Sequence, residues 1–504
     1  MPRTALRGIG KFRRRKAQSN HRRKGLTMKT VFISSECTPF IKTGGLADVT
    51  GSLPKALAKQ GAEVSVIIPK YSMIPEEYRN NMEHVLDFRV SMGWRQQYVG
   101  AEKLTLDGVT YYFADNEYYF KQNYVYAAGD FETERFCWFC RASLEIMARL
   151  DIVPDIIHLN DWQTGLIPML IKEQYLGDPR FNRVRTVYTI HNLRYQGLMN
   201  PMLVNDMLGL GQDALAKAEY YSNVNAVKAG IVYSDIVNTV SPSYADEIRT
   251  PEYGETLDGL MRTRDIRGIM NGIDTAAFNP RTDKSLPARF SKNSMAGKKK
   301  CKLALQRELG LGEDADAPVA ALISRLTNQK GLDLFEMIIP GLLDLGVQIA
   351  VLGMGDRHFE MHFAYLQSAH PGAFAFRAEM NDALARRIYA GSDLFLMPSA
   401  FEPCGLSQLY ALRYGSLPVV RETGGLRDSI IPYNRYTGEG NGFSFGNYSA
   451  DEFYHAVKTA AELYRNDRAA FDTLVHAAMS CDFSWKRSAR EYMKLYKELC
   501  AGRD

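Results

Sequence analysis

The sequence predicts an α/β protein made of two similar halves, each a parallel sheet with helices on both faces. Short apolar runs alternate with longer helical patterns along most of the chain, which is typical of parallel sheets covered by helices. The hexapeptide TGGLAD at 43–48 returns as TGGLRD at 423–428, each time just after an apolar, strand-like run. A chain of 504 residues is also too long for one hydrophobic core and fits two large domains or three ordinary ones.

The predicted strands fall into two series. The first series comprises the runs 31–35, 64–68, 155–159, 186–190 and 236–240. The second comprises 319–324, 348–352, 374–377, 394–397 and 417–420. The series change near NGID at 271–274, and a polar, lysine-rich stretch follows at 281–300. We therefore predict a first domain over 28–271 and a second over 272–482.

Composition and charge exclude several classes of protein. The chain is 46% apolar and 24% charged, as in ordinary globular proteins, and no run of 18 apolar residues predicts a membrane span. Residues 1–27 hold ten Lys and Arg and no acid, which leaves 52 bases against 57 acids in the rest. We predict that this tail is disordered: a nucleic-acid or targeting arm, an upstream start or an expression extension.

The cysteines indicate a reducing compartment, and we predict a cytoplasmic protein. Seven cysteines spread over a long chain do not suit a disulfide framework. Cys137 and Cys140 form a C-x-x-C within a helical pattern at 134–150. Without a second pair or spaced histidines, they are predicted to be two buried thiols.

Each repeated Gly-Gly segment predicts an anion site. Paired glycines let the backbone turn sharply, and the helix that follows points free amide groups and its positive dipole end at the turn. If both turns lie at the carboxyl ends of parallel strands, they can face each other across a cleft and hold one ligand. Alternatively, they are two unrelated turns that only shape connections.

In the first half, polar residues gather at predicted strand ends. Lys42 precedes the first Gly-Gly turn and Asp48 enters the following helix, so a mobile cation would join the amide donors, unless Lys42 is merely solvated. HLNDW at 158–162 and TIHNL at 189–193 end two strands, where open α/β sheets bind ligands. His158, within its strand, is predicted to be a core histidine, and His191, at the tip, to contact substrate.

In the second half, two cations converge on a strand end. Within SRLTNQKG at 324–331, Arg325 and Lys330 suit a departing diphosphate, because preplaced donors stabilise charge that grows during bond cleavage. Each charge-assisted bond would contribute roughly 1.5–3 kcal/mol. The alternative is a pair of surface charges that flank a turn.

FEPCGL at 401–406 places the Glu402 carboxylate at the start of a helix predicted over 405–414, where ionisation is favoured. That carboxylate would bind sugar hydroxyls or stabilise positive character at an anomeric carbon. The alternative is a capping acid with no catalytic part.

Other chemistries lack their motifs. A complete G-x-G-x-x-G after a strand, a G-x-x-x-x-G-K-[ST] and a G-x-S-x-G are all absent from the sequence, which counts against nicotinamide, P-loop and hydrolase-elbow enzymes. The D-x-D at 314–316 precedes a strand, so we expect neither a metal site nor a bound cofactor. The aromatic residues crowded into 108–130 either stack on sugar rings or fill a core.

Taken together, these motifs resemble the bacterial and plant glycogen and starch synthases over about residues 28–503. The resemblance is carried by KTGGLADV (42–49), HLNDWQTGL (158–166), YTIHNLRYQG (188–197), SPSYADEI (241–248), NGID (271–274), SRLTNQKG (324–331), FEPCGLSQLYALRYG (401–415) and TGGLRD (423–428). It implies two facing Rossmann-like, doubly wound domains of the GT-B type with an interdomain cleft, and a final helix at 483–504 that crosses back to the first domain.

The resemblance also implies an activity: transfer of glucose from ADP-glucose to the non-reducing end of an α-1,4-glucan, with the anomeric configuration retained. A preference for UDP-glucose stays open. The other candidates are a phosphorylase with pyridoxal phosphate on a lysine, a catalytically silent glucan-binding protein, and a nucleic-acid binder that works through the tail. For the glucosyltransferase, we expect no membrane partner, and we expect nucleic acid to bind only nonspecifically at the tail.

Site residues follow from the same resemblance. It implies that Arg325 and Lys330 hold the donor diphosphate and that Lys42 positions donor phosphate and acceptor. It assigns the glucosyl unit and its surroundings to Asp161, His191 and Asn271, with Asn160 and Asp48 also binding substrate. It also implies that backbone amides of the two turns help to hold the diphosphate, namely those of Gly44, Gly45, Thr423, Gly424 and Gly425. The sugar side of the donor pocket would be lined by Glu402, Cys404, Gly405 and Leu406. Glu402 is not assigned as a nucleophile.

Overall fold

The computed structural model describes residues 27–501. The predictions for residues 1–26 and 502–504 lie outside the described residues. Within residues 27–501, no helix combines the length and the apolar character needed to cross a membrane.

The first half contains a nine-stranded sheet and a small three-stranded sheet. Its strands are β1 (Lys29–Ile33), β2 (Glu63–Pro69), β3 (Glu83–Met92), β4 (Arg95–Leu106), β5 (Val109–Asp115), β6 (Ile156–Asn160), β7 (Arg185–Ile190), β8 (Leu198–Met199), β9 (Glu219–Tyr220), β10 (Asn223–Asn225), β11 (Ile236–Thr239) and β12 (Ile266–Gly268). Its helices are α1 (Gly45–Ala58), α2 (Glu76–Arg79), α3 (Glu117–Phe120), α4 (Asp130–Arg149), α5 (Ile167–Leu170), α6 (Pro201–Leu208), α7 (Gln212–Ala218), α8 (Ala226–Tyr233), α9 (Pro242–Glu247) and α10 (Asp258–Arg262).

The second half contains a six-stranded sheet with helices on both faces. Its strands are β13 (Val319–Ile323), β14 (Gln348–Leu352), β15 (Phe374–Arg377), β16 (Leu394–Met397), β17 (Leu417–Arg421) and β18 (Phe443–Phe445). Its helices are α11 (Ala296–Leu309), α12 (Leu332–Asp344), α13 (Arg357–Ala369), α14 (Asp382–Gly391), α15 (Ser407–Arg413), α16 (Gly424–Ser429), α17 (Ala450–Asn466) and α18 (Arg468–Ser480), and the last helix of the described chain is α19 (Trp485–Ala501).

The two large sheets confirm the predicted α/β class. The second sheet has the order β15-β14-β13-β16-β17-β18, and every neighbouring pair is parallel. The first has the order β12-β11-β7-β6-β1-β2-β5-β4-β3, and its first seven strands are parallel. The antiparallel strands β3 and β4 at its edge were not predicted, because charged residues interrupt their apolar alternation.

Each sheet sits in its own hydrophobic core. Most of the aromatic residues of the segment 108–130 belong to the first core, where Tyr111, Phe113, Tyr119 and Phe120 are fully buried. Cys137 and Cys140 are buried and unpaired, as predicted. Most of this aromatic segment is therefore packing, and Tyr126 is the member that reaches the cleft described below.

The last helix packs on the first core after the chain has completed the second. In α19, Tyr492 and Tyr496 are fully buried against the first half. The His158 ring bonds the Tyr496 hydroxyl through Nδ1 at 2.6 Å and the Thr189 hydroxyl through Nε2 at 2.5 Å. His158 is thus the core histidine that was predicted, and it fastens α19 to the sheet.

Candidate functional site

Both Gly-Gly turns lie next to the loop 401–406. The first turn begins α1, and a methyl group placed on Gly45 would lie 3.9 Å from the Leu406 side chain. The second turn begins α16, where the Gly425 amide donates to the carbonyl oxygens of Glu402 at 3.1 Å and Pro403 at 3.2 Å. Residues from both halves therefore meet around this loop at the carboxyl ends of the parallel strands.

An anion does occupy the first turn, but it belongs to the protein. The Glu36 carboxylate, 2% exposed, accepts hydrogen bonds from the Thr43 amide, the Thr43 hydroxyl at 2.7 Å and the Gly44 amide at 3.3 Å. The Tyr126 hydroxyl donates to the same carboxylate at 2.5 Å. Sequence reasoning missed Glu36, although an acid directly after an apolar strand was its signal, whereas Tyr126 belongs to the aromatic segment 108–130 that was predicted either to stack on sugar rings or to fill a core.

The second turn repeats this arrangement across the gap between the halves. Glu247, at the end of α9 in the first half, accepts from the Gly424 amide at 2.8 Å and from the Thr423 hydroxyl at 3.2 Å. Burial, more than any neighbouring charge, raises the pKa of Glu247. Ser243 adds two bonds to Asp428, at 2.8 and 2.7 Å. The second turn is thus held by the first half.

These contacts change how the predicted anion site works. A donor phosphate that reached Thr43, Gly44 or Gly424 would have to share their donors with an internal carboxylate. The Gly45 amide remains one of the first-turn donors of α1 that have no intrahelical partner. Binding of the diphosphate by the amides of these turns stays a prediction.

Lys330 and Glu402 form an ion pair beside the second turn. The Lys330 Nζ lies 2.6 Å from Glu402 Oε2, and their side chains are 17% and 9% exposed. The Ser399 hydroxyl reaches the same oxygen at 3.3 Å. Arg325 lies on the same loop as Lys330 with an exposed side chain, and it forms none of the salt bridges found within residues 27–501. Of these two cations, Lys330 is therefore paired and Arg325 is open to a ligand.

The predicted setting of Glu402 was wrong in one respect. The helix after it, α15, begins at Ser407 rather than at residue 405, because Gly405 takes the left-handed conformation at φ +70° and cannot continue a right-handed helix. A side chain at that position would also meet Gln408 at 2.5 Å. Lys330, and not a helix N-terminus, is therefore the positive group next to Glu402.

His191 is held at its strand tip by two neighbours. Asn160 Oδ1 lies 3.0 Å from His191 Nε2, while Asn160 Nδ2 donates to the Ile33 carbonyl at 3.1 Å. Asn160 therefore presents its oxygen to the ring, which places the proton on Nε2 and leaves Nδ1 as an acceptor. Burial lowers the pKa of His191 to about 3, so the ring is neutral.

Asp161 has strained backbone geometry and fixes the loop that carries His191. Its φ is +55°, which is uncommon for a residue with a side chain. Its Oδ1 accepts from the His191 amide at 2.7 Å. Burial raises its pKa to about 7. Such strain, together with a shifted pKa, is typical of functional sites.

Asn271 and Cys404 join the two halves at the floor of the cleft. Asn271 is 5% exposed, and its Oδ1 has no hydrogen-bond partner within residues 27–501. Its amide group hydrogen-bonds the Cys404 thiol, whose pKa burial raises to about 12. A buried acceptor without a donor is costly, so Asn271 is suited to receive a hydroxyl from a ligand.

Lys42 and Asp48 lie at the rim. They form a salt bridge of 2.9 Å, with side chains 48% and 22% exposed. Burial raises the pKa of Asp48 and the Lys42 charge opposes that shift. Because Lys42 is half in solvent, it can turn toward a ligand at little cost.

The described residues do not offer a metal centre. Within residues 27–501, no group of three or more His, Cys, Asp or Glu is placed to hold a metal ion.

Comparison with known proteins finds similarity over nearly the whole chain. Residues 29–263 match the family described as starch synthase catalytic domain, and residues 310–473 match glycosyl transferases group 1. The chain is 49% identical over 476 residues to a glycogen synthase of Desulforamulus reducens, covering 94% of this chain and 99% of the relative. It is also 49% identical over 484 residues to a glycogen synthase of Exiguobacterium sibiricum, covering 95% and 100%.

Two solved structures are similar as well. The catalytic domain of starch synthase IV from Arabidopsis thaliana, bound to ADP and acarbose, superposes with a TM-score of 0.87 at 34% identity and covers 94% of this chain and 100% of its own. A sucrose-phosphate synthase from Thermosynechococcus elongatus, at 16% identity and a TM-score of 0.60 over 94% of this chain and 99% of its own, shares the fold.

Proposed function

This chain belongs to the glycogen and starch synthase family, and we infer from that membership what its interdomain cleft does. It is a retaining glycosyltransferase that transfers glucose from ADP-glucose to an α-1,4-glucan. The acceptor is the non-reducing end of glycogen or a maltooligosaccharide. The observation that carries the assignment of residues is the Lys330–Glu402 pair, 2.6 Å long, beside the second Gly-Gly turn.

The diphosphate of the donor would lie against Arg325 and Lys330. During transfer, the bond between the anomeric carbon and the phosphate oxygen breaks, and negative charge grows on the departing ADP. Two preplaced cations stabilise the transition state, where this charge is larger, more than they stabilise the bound donor, so they lower the barrier. Lys330 keeps Glu402 as a second partner, which holds the ammonium group in place before the donor arrives.

Retention follows if the acceptor approaches from the face that the phosphate leaves. The acceptor hydroxyl oxygen bonds to the anomeric carbon, and its proton passes to the departing phosphate oxygen. This transfer needs no protein nucleophile, and we assign none. Glu402 instead supplies a carboxylate that stabilises positive character at the sugar or binds its hydroxyls.

The sugar would be held by groups of the first half and the floor of the cleft. His191 presents Nδ1 as an acceptor, Asn271 presents its unpartnered Oδ1, and Asp161 supports the His191 loop. Asp48, Asn160, Cys404, Gly405 and Leu406 complete the proposed walls, and Lys42 would swing from Asp48 to the donor phosphate or the acceptor.

Residues 28–271 would form the acceptor-side domain and 272–482 the nucleotide-sugar domain, with 483–504 crossing back to the first. A pair of domains joined in this way is expected to close around the donor. We further propose that the protein acts in the cytoplasm, where its cysteines stay reduced.

A donor competition assay tests the function. Purified protein is given glycogen and labelled ADP-glucose, UDP-glucose or glucose 1-phosphate, and incorporation of label into the polymer is measured. We expect incorporation mainly from ADP-glucose. Incorporation from glucose 1-phosphate, with absorbance of bound pyridoxal phosphate, would instead identify a phosphorylase, and no incorporation from any donor would refute enzymatic transfer.

A further inference from the structure

A cavity of about 420 Å³ lies in the first half, at the end of the sheet where β11 and β12 begin. Its walls come from those strand starts, from the end of α8 and from the last turns of α19. The other end of β11 points to the cleft, since Ser241, just beyond it, donates to the Pro403 carbonyl in the loop 401–406 at 2.6 Å. The cavity is therefore separate from the site described above.

One part of the cavity wall is apolar. Ile231, Val237 and Leu495 are buried, and Leu499 is half-buried at the end of α19. A ligand with an apolar body would remove this surface from water, which is favourable. The volume falls within the range of roughly 300–1,000 Å³ that is typical of small-molecule sites, so the cavity has room for such a body.

Arg264 supplies a positive charge that has no charged partner in the wall. It is half-buried and forms none of the salt bridges found within residues 27–501. Its Nη2 donates to the Val232 carbonyl at a long 3.4 Å, and its buried Nε has no hydrogen-bond partner among those residues. The Ser234 hydroxyl, also in the wall, is buried and unpartnered in the same sense. Buried donors without acceptors are costly, so both groups favour a ligand that accepts hydrogen bonds.

The acids of the wall already have cations of their own. They form ion pairs with N···O distances from 2.7 to 3.9 Å: Asp235 with Arg185 and Lys172, and Asp265 and Glu498 with Arg267. Three acids thus face three cations, which leaves the charge of Arg264 uncompensated. A surplus of one positive charge favours an occupant with one negative charge over a neutral molecule, and the nearby acids repel a dianion.

The helix α19 runs from the junction of the two halves to this cavity. Near its start, the Ser488 hydroxyl donates to the Met270 carbonyl at 2.6 Å. Near its end, Leu495 and Leu499 line the cavity. A ligand seated there would contact both α19 and the sheet, and would hold the end of the helix against the first half.

From these contacts we propose that the cavity between α19 and the starts of β11 and β12 binds an amphipathic organic monoanion, a carboxylate on an apolar chain or ring. Arg264 and Ser234 would hold the carboxylate, and Leu495 and Leu499 would pack against the apolar body. Binding stabilises the docked position of α19, because the ligand binds the docked form. The proposal goes beyond the function proposed above, since it concerns residues outside the cleft.

Binding of octanoate, measured by calorimetric titration, tests the proposal. Octanoate carries the charge and the chain, whereas acetate carries only the charge and 1-octanol only the chain, so octanoate should bind roughly tenfold more tightly than either, or better. Arg264→Gln removes the charge and should weaken octanoate binding roughly 10- to 150-fold, the loss of one charge-assisted hydrogen bond. Arg264→Lys keeps the charge and should give an affinity between the two. Arg262→Gln is the matched control, because Arg262 is paired with Asp258 at 2.6 Å and lies outside the cavity wall.

Hydrogen exchange locates the bound octanoate. Amide exchange in the last turns of α19 should slow in the wild type and in Arg262→Gln, and should stay unchanged in Arg264→Gln. Octanol binding as tight as octanoate binding, equal octanoate affinity in folded Arg264→Gln, or protection confined to the cleft would overturn the proposal. Absence of octanoate binding to the wild type at the solubility limit would overturn it as well.

A second variant keeps the test decisive if Arg264→Gln does not fold. Leu499→Asn makes the apolar wall polar and should weaken octanoate binding roughly tenfold, and an unchanged affinity would overturn the site. These readouts do not use glucose transfer. Failure of the octanoate experiment therefore leaves the proposed function standing, and failure of the donor assay leaves this site standing.

Discussion

Replacing Lys330 with Ala should damage both turnover and stability, and the structure gives the size of each effect. The sequence alone predicts a strand-end lysine that carries little packing. In the structure, Lys330 and Glu402 are 17% and 9% exposed and 2.6 Å apart. Removal of the lysine leaves the Glu402 carboxylate with the Ser399 hydroxyl at 3.3 Å. Breaking a buried pair on one side costs about 3 kcal/mol at the low end of the measured range, which suits a lysine still partly in water.

The expected changes are measurable. A loss of about 3 kcal/mol lowers the melting temperature by roughly 6–12 °C in a domain of this size. Loss of one charge-assisted bond to the departing diphosphate, roughly 1.5–3 kcal/mol, lowers kcat/KM by roughly 10- to 150-fold. Melting is followed by calorimetry, and transfer is followed by incorporation of labelled glucose into glycogen.

Two further variants separate the effects. Lys330→Ala combined with Glu402→Gln removes the unpaired buried charge, so it should recover much of the melting temperature while turnover stays low. Lys458→Ala, in an exposed pair of 3.9 Å with Glu462 on α17, should change neither. Near-normal kcat/KM in folded Lys330→Ala would refute the assignment of the diphosphate to this lysine.

The remaining predictions concern groups around the cleft. His191 has a pKa of about 3 in the folded protein against 6.5 when unfolded, so its contribution to stability is present above pH 6.5 and is lost as the pH falls toward 3. His191→Asn should therefore reduce the fall in the free energy of urea unfolding between pH 6.5 and 3 by roughly 3–5 kcal/mol. An unchanged pH dependence would contradict this. Tyr496→Phe should cost about 1–2 kcal/mol, because His158 Nδ1 loses its buried partner, and a wild-type unfolding midpoint would argue against that bond. Glu247→Ala removes the acceptor of the Gly424 amide and should weaken the contact between the two halves. We expect faster proteolysis of the chain between the halves, and wild-type protease resistance would count against the contact.

Many strands of the two cores could be read from the sequence, but β5, which lies inside the first sheet, and β18 of the second sheet were missed. The predicted runs 348–352, 374–377 and 394–397 match β14, β15 and β16 to the residue, because strands buried on both faces are continuous apolar runs between turn signals. The edge strand β3 and its neighbour β4 were not predicted for the opposite reason. One face of each meets water, so polar residues mask the pattern.

The candidate site was predictable as a set of strand ends, but not as a set of contacts. The sequence places Lys330 and Glu402 each after a predicted strand, yet only the fold shows that the two strands are neighbours and that the side chains pair. Similarly, the repeated glycines predict an anion at each turn, and Glu36 and Glu247 supply it from 7 and 177 residues away. Glu36 follows an apolar strand and could have been found, but a partner as distant as Glu247 leaves no periodic signal in a single sequence.

A crystal structure with ADP bound would test the central claim most directly, namely that Arg325 and Lys330 hold the donor diphosphate in the cleft between the two halves. We expect the diphosphate oxygens within hydrogen-bond distance of Lys330 Nζ and the Arg325 guanidinium, with the loop 401–406 beside them. A diphosphate bound elsewhere, with Lys330 still paired only to Glu402 and Arg325 still in solvent, would contradict the account.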